Sequence, residues 1–353
     1  MIPSLGLKDF RNYQTFQISF SEGIQFISGN NGQGKTNLIE AIYLATHLRS
    51  YRSQRLRPLI RQGADEARVF CRFSNQGVSH QVQLELWPQA KKVLVDKKPL
   101  HYSSEYIQKF FSILFAPDQL ARYKEYPAER RSFFDRALCL LEPGYFTRLK
   151  EYEQVKAQKN QLLKDRRFKE LSYFNELMAQ AIVPLVCARK RLAESLNQEL
   201  PKLHQLFSQS AEPLQLIYKA DCDAIEAEAA LEKLQAKSPQ EEAQGFVGVG
   251  PHKDNYLMTM GPKMDRMGFS QGEYRIAFLA LLFGLNVIFG KQLNSRPLLL
   301  LDDLFSELDP QVSGALLELL RDLNNQVFIT STRVPPGYGT HATEYRIEDA
   351  NLA

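Results

Sequence analysis

Gly29-Asn30-Asn31-Gly32-Gln33-Gly34-Lys35-Thr36 stands between an apolar, β-branched stretch, GIQFIS, and a run of helical character from Thr36 to Leu48. This GxxxxGK[ST] spacing constrains the 353-residue chain more than any other feature, because it needs a strand, a loop and a helix in that order. The glycines let the backbone wrap around phosphates, and the first N–H groups of the helix point at the anion. Lys35 supplies a cation, and Thr36 carries a hydroxyl suited to magnesium. A chance match in a turn would have no reason to fall between those two elements. The spacing predicts a nucleoside triphosphate held by Gly29, Asn30, Asn31, Gly32, Gln33, Gly34, Lys35 and Thr36. No NKxD-type guanine-reading motif accompanies it, which favours ATP.

A second feature answers the first. Leu298-Leu299-Leu300-Leu301-Asp302-Asp303 reads as a strand buried on both faces that ends in two acids at its carboxyl edge. Alone it would be a strand running into an acidic turn. With the phosphate loop upstream, Asp302 is expected to bind magnesium, and Asp303 to position the water that attacks the γ-phosphate. Asp309 and Pro310 follow as N-cap and first residue of a helix.

The remaining text sorts into layers. FQISF and GIQFIS read as strands, VFCRF, VQLELW and KVLV as an antiparallel meander, and PLLLLDD with QVFIT as parallel strands around a helix from Pro310 to Leu323. Between Pro117 and Gln240 the pattern turns long, charged and helical, with breaks expected at Pro184, Pro201 and Pro213. The expected organisation is a discontinuous head, residues 1–116 and 241–353, interrupted by a helical lobe, residues 117–240. The apolar run Ile276–Phe289 is shorter than the ~20 residues of a membrane span and reads as a core helix.

Composition excludes several classes. Cys71, Cys139, Cys187 and Cys222 form no CxxC pair, so neither a zinc site nor a disulfide framework is expected. The opening MIPSLGLKDFRNYQ lacks the apolar core of a signal peptide, and a reducing cytoplasm fits best. The net charge of +4 permits an anionic partner without requiring one.

Phe269-Ser270-Gln271-Gly272-Glu273-Tyr274-Arg275 places another serine and glycine before a long helix, a second end suited to an anion. One nucleotide needs one such loop. A second end far along the chain therefore points to a nucleotide held by another copy. Ser270 with Glu273 three residues on also reads as an ordinary capping box, and both readings can hold together.

The set GNNGQGKTN, FSQGEYR and LLLLDDLFSELD resembles the ABC-type ATPase heads of the SMC and RecF proteins. Pro127–Asp135, Gly248–Asp254 and the KDFRNY opening are similar to motifs of the RecF family in particular. The resemblance implies an α/β fold: a P-loop ABC-type ATPase head with a mixed sheet, an antiparallel β layer and an inserted α-helical lobe. It implies an ATPase using ATP and Mg2+, with Ser270, Gln271, Gly272 and Glu273 as a signature that acts in trans. Lys35, Asp302, Asp303 and Ser270 would then be the catalytic set, Thr36 and Asp302 the metal ligands, and Arg11 and Asn12 neighbours of the base, although Arg11 could equally be a solvated strand residue. Transporter-type relatives carry a glutamate where Asp303 stands and a histidine where Thr330-Ser331-Thr332 follows the strand. Those departures are compatible with slow hydrolysis, and the resemblance implies stimulation by DNA.

Arg49, Arg52, Arg55, Arg57 and Arg61 form the densest basic run, with no acid between Glu40 and Asp65. Such a run can neutralise backbone phosphates without reading sequence, or can be a solvated face. The resemblance favours the first. It further implies double-stranded DNA and single/double-strand junctions as partners, an ATP-dependent homodimer and a RecR-like mediator, in the recombinational repair of damaged or stalled replication DNA. A P-loop kinase of a small molecule shares the loop, but leaves Ser270 without a role. The text leaves His252 as a polar group without a role.

Overall fold

In the computed structural model, residues 1–75, 77–100, 106, 109–208, 210, 212–264, 268–293, 295–334 and 342–352 are described. The chain divides into two compact units. The first comprises Met1–Leu120, Leu206–Ser208 and Phe289–Ala353, and the second Ala121–Gln205 and Gln209–Ile288.

The first unit opens with β1 (Ser4–Phe10), β2 (Tyr13–Ser19), β3 (Ile24–Ser28), α1 (Lys35–His47), β4 (Ala67–Asn75), β5 (Val78–Leu86), β6 (Lys91–Val95), β7 (Lys98–Pro99) and β8 (Ser112–Phe115). β2-β1-β4-β5-β6-β7 form an antiparallel sheet, the expected meander joined by the first hairpin. β1 and β4 bury alternate residues, Leu5 and Leu7 facing the same core as Val69 and Cys71.

The second unit carries α2 (Pro117–Glu125), which starts in the first, then α3 (Pro127–Leu141), α4 (Tyr145–Lys164), α5 (Leu171–Phe207), β9 (Leu214–Lys219), α6 (Ala227–Gln244), β10 (Asn255–Met260), β11 (Lys263–Met264) and α7 (Gln271–Leu293), the last residues of α5 and α7 being counted in the first. Two expectations are corrected here. α5 runs unbroken for 37 residues through Pro184 and Pro201. Each proline costs a helix roughly 3 kcal/mol. Around them Ile182, Leu185, Val186, Leu196 and Leu200 are fully buried, each stabilising by roughly 1.5–3 kcal/mol, so packing outweighs the lost bonds. Leu214–Lys219 is also a strand rather than part of a helical stretch. It pairs antiparallel with β10, about forty residues on, which local periodicity does not reveal. The run Ile276–Phe289 is the core of α7, buried almost all round. α7 and the helical stretch Phe168–Phe207 are each long and apolar enough to cross a membrane by composition, and two thirds of the α7 window is buried inside the protein.

The chain returns to the first unit with β12 (Leu298–Leu301), α8 (Pro310–Asp322), β13 (Val327–Ser331), β14 (Ala342–Glu348) and β15 (Asn351–Leu352). They complete a mixed sheet ordered β15-β14-β3-β13-β12-β8, parallel throughout except at β15. β3, β13 and β12 are buried at every residue, as central parallel strands are, and so is the edge strand β8. α1 is buried nearly all round because it packs on β13 and β8 of this sheet and on β4 of the other. That sandwiching holds the start of α1 at the carboxyl edge of the parallel strands.

Candidate nucleotide site

β3 ends at Ser28, and the loop Gly29–Gly34 turns directly into α1. Gly29, Gly32 and Gly34 have φ of 141°, 83° and 112°. A Cβ on Gly29 would lie 2.3 Å from the Ile347 carbonyl oxygen, and one on Gly34 2.8 Å from the Tyr13 hydroxyl. The loop is thus pressed against β14 at Gly29 and against Tyr13 of β2 at Gly34. Gly29→Ala is expected to cost roughly 2–4 kcal/mol, read as a lowered denaturation midpoint, together with loss of ATP binding.

Among the described residues no side chain caps the start of α1, so its first N–H groups remain available to an anion. Lys35 folds back over the loop, its Nζ donating to the carbonyls of Gly29 (2.7 Å) and Asn30 (2.8 Å). An ammonium has a third proton for a phosphate oxygen. Burial pushes the Lys35 pKa down, against the pull of Asp303 and Asp302. An anion at the loop would draw it back up. The residues fit a triphosphate.

Asp302 and Asp303 leave β12 at the same edge. Leu301 pairs with Phe115 and Ile329, and the Asp302 N–H donates to the Phe115 carbonyl (2.8 Å). Asp302 is 4% exposed. Its Oδ1 accepts from Thr36 Oγ1 (3.0 Å) and Thr330 Oγ1 (2.7 Å), and its Oδ2 from the Tyr51 hydroxyl (3.1 Å). Burial raises the Asp302 pKa, and those three hydroxyls oppose the rise. A cation beside Thr36 and Asp302 would stabilise the carboxylate; the Thr36 hydroxyl keeps lone pairs for it while its proton bonds Asp302. Among the described residues no group of three or more His, Cys, Asp or Glu side chains forms another metal cage. Asp303 is exposed, in left-handed backbone (φ 49°), its N–H donating to Thr330 Oγ1 (2.8 Å).

Tyr51 and Thr330 are thus site residues that no motif marked as ligands of Asp302. Thr330 had only the register signal, one residue beyond Ile329 on the strand beside β12. Tyr51 had none, lying 251 residues from Asp302.

The β1–β2 turn brings Arg11 and Asn12 to the loop by different routes. Asn12 Nδ2 donates to the Gln33 carbonyl (3.4 Å), and its Oδ1 accepts from Asn37 (2.8 Å). Arg11 grips the fully buried Glu40 of α1 with two bonds (2.8 and 2.7 Å) and reaches the Pro58 carbonyl (2.8 Å). Gln33 is held in turn by the N–H groups of Asp349 and Ala350.

The arginine run is partly engaged. Arg52 pairs with Glu40 (3.3 Å) and Asn37 (2.8 Å), Arg61 with Asp9 (2.7 Å), and Arg57 donates to the Ala64 carbonyl (3.0 Å). Arg49, Arg52, Arg55 and Arg57 remain exposed. The acids missing from the local sequence arrive from α1 and from the end of β1.

In the second unit Ser270 and Glu273 close a reciprocal capping box: Ser270 N–H to Glu273 Oε2 (2.8 Å) and Glu273 N–H to Ser270 Oγ (3.2 Å). Bonds from Lys263 and Ser270 pull the Glu273 pKa down to about 2. Ser270, Gln271 and Gly272 are exposed, and a Cβ on Gly272 would meet none of the described residues within 4 Å.

The motifs Pro127–Asp135 and Gly248–Asp254 meet inside the second unit at Arg189, which no sequence signal marked. Its guanidinium, 2% exposed, donates to Asp135 (3.0 Å from each of two nitrogens), to Asp254 Oδ2 (2.7 Å) and to the Pro251 carbonyl (2.8 Å). His252 sits beside it, with Nδ1 against the Tyr152 hydroxyl (2.5 Å), and burial lowers its pKa to about 4. His252 therefore belongs to the packing of this unit.

A phosphate loop at the carboxyl edge of a parallel sheet, an acidic partner strand and an antiparallel β layer define an ABC-type ATPase head, and the chain is such an ATPase. Residues 1–337 match the family described as RecF/RecN/SMC N terminal domain. Within that class the chain belongs to the RecF family. It is 34% identical to the DNA replication and repair protein RecF of Lacticaseibacillus casei, over 93% of this chain and 92% of the relative. To the RecF of Lachnoclostridium phytofermentans it is 30% identical, over 94% and 92%. The solved structure of the recombination mediator protein RecF-ATP in the RecFOR pathway superimposes with a TM-score of 0.90 at 26% identity, covering 100% of this chain and 98% of that one. An SMC head from Pyrococcus furiosus, at 18% identity and a TM-score of 0.61, shares the fold. The chain is an ATP-binding protein of recombinational repair.

Proposed function

We propose that ATP held at Gly29–Thr36 joins two copies of this chain head to head on duplex DNA, and that hydrolysis releases them. The observation that carries this reading is Gly272. Glycine inside a helix costs up to roughly 1 kcal/mol relative to alanine, and no described residue needs the space here. The exposed end at Ser270–Glu273 offers its N–H groups and positive helix end to an anion, and the bare Gly272 admits close approach. A γ-phosphate on a second copy is such an anion.

In this account the loop amides and Lys35 hold the β- and γ-phosphates, and Asp303 orients and polarises the attacking water. Asp302 holds its place through Thr330, Thr36 and Tyr51. Magnesium, at Thr36 and Asp302, would offset phosphate charge. Asn12, bonded to the Gln33 carbonyl, would line the nucleotide, whereas Arg11 would act through Glu40. Arg49, Arg52, Arg55 and Arg57 face solvent and supply a phosphate-binding stripe, which includes Arg61 at its edge. Duplexes and single/double-strand junctions offer that phosphate geometry. By family, the joined dimer would then help a RecR-like mediator place recombinase at gapped or stalled replication DNA. The setting we infer is the cytoplasm, where free Cys71, Cys139, Cys187 and Cys222 stay reduced.

Ser270→Arg tests the composite site. ATP affinity of one copy should stay within about threefold, while ATP-driven dimerisation weakens by at least ~100-fold, because a bulky side chain occupies the space for the partner's phosphate. Undiminished dimerisation would remove Ser270 from the interface.

A further inference from the structure

The segment that carries the arginines is tied to the nucleotide site by side chains that phosphate binding alone does not need. Tyr51 lies in its midst, 6% exposed, its ring edge-on to Tyr43 (centroids 5.3 Å apart), which stacks on His47. A phenylalanine would fill that place equally well. The hydroxyl instead reaches Asp302 Oδ2, the oxygen opposite the one held by Thr36 and Thr330.

The next residue, Arg52, bonds Glu40 and Asn37, and Asn37 bonds Asn12 at the phosphate loop. Ser50 donates to Glu40 and accepts from the N–H groups of Arg52 and Ser53 (3.0 Å each), which folds the segment around that carboxylate. Ser50, Tyr51 and Arg52 therefore hang on two buried acids, one on the helix that begins with Lys35 and Thr36, the other at the end of β12. Anything that moves charge at Asp302 changes what the Tyr51 hydroxyl is worth there. Anything that draws Arg52 to an external phosphate weakens its hold on Glu40 and Asn37.

We infer that Tyr51 is a positioning residue that couples the arginine segment to the Asp302 carboxylate, so that nucleotide with magnesium and a DNA backbone bias each other's binding. This rests on the DNA-binding reading above for its ligand, but the link itself is a property of the first unit. Coupling of this kind is reciprocal: DNA shifts ATP affinity by the same factor as ATP shifts DNA affinity.

Tyr51→Phe and Thr330→Val separate the link from simple support of Asp302, since both remove one hydroxyl from that carboxylate and only Tyr51 belongs to the arginine segment. Amide hydrogen exchange of residues 49–61 is followed without DNA, with and without ATP and magnesium. The affinity for a fluorescent duplex is compared with ATP and with ADP. In the parent and in Thr330→Val, exchange in the segment should respond to ATP and magnesium; in Tyr51→Phe that response should vanish. The ATP-to-ADP ratio of duplex affinities should fall by roughly fivefold in Tyr51→Phe alone. An unchanged exchange response in Tyr51→Phe, or equal loss in Thr330→Val, overturns the inference. A parent that ignores duplex altogether while the exchange result holds overturns the DNA reading and leaves the link standing.

Discussion

Asp303→Asn is expected to lower ATP turnover by about two to four orders of magnitude while ATP affinity stays within roughly threefold. The substitution is nearly silent for the fold. Asp303 is exposed and sits in left-handed backbone, which asparagine tolerates as readily as aspartate, and its N–H keeps the bond to Thr330 Oγ1. What changes is one negative charge whose pull on Lys35 opposes the burial that lowers that lysine's pKa. An amide cannot take a proton from an attacking water, nor polarise it as a carboxylate does. Phosphate release at saturating ATP reads the effect, and the ATP-joined dimer should accumulate because release fails. Parent-like turnover would take Asp303 out of the chemistry.

The second large effect is structural. Arg189→Met should destabilise the second unit by about 3–5 kcal/mol, because it strands Asp254 without its guanidinium in a place where that carboxylate is fully buried. Burial already pushes the Asp254 pKa up, and Arg189 is the largest influence holding it down. Asp135 loses two bonds in the same step. Methionine fills much of the volume, so a loss of this size reports the unpaired acids rather than a cavity. Arg189→Lys keeps the charge but not the planar fork, and should fall between the two. Urea denaturation checks both; a change below about 1 kcal/mol for Arg189→Met would show that the acids find other partners or solvent.

What could be read from the sequence was what short-range rules dictate. The phosphate loop, the apolar strand ending in Asp302 and Asp303, and the caps at Asp309 and Ser270 each declare themselves within a few residues. Asp309 accepts from the Val312 N–H as such a cap does. The meander declared itself by alternation. The rest depends on partners far apart in the chain. Tyr51 reaches Asp302 across 251 positions, and Arg189 reaches Asp135 and Asp254 across 54 and 65. The strand Leu214–Lys219 looked helical because its neighbour is supplied by β10. Pro184 and Pro201 looked like breaks because local propensity takes no account of the packing around α5. The arginine run looked free of acids because Glu40 and Asp9 come to it from elsewhere.

Sedimentation of the purified protein with ADP, with ATP and magnesium, and with ATP, magnesium and duplex DNA tests the central claim most directly. The account predicts a monomer with ADP, a dimer with ATP, and a dimer strengthened by duplex. A monomer indifferent to ATP and to DNA would contradict it.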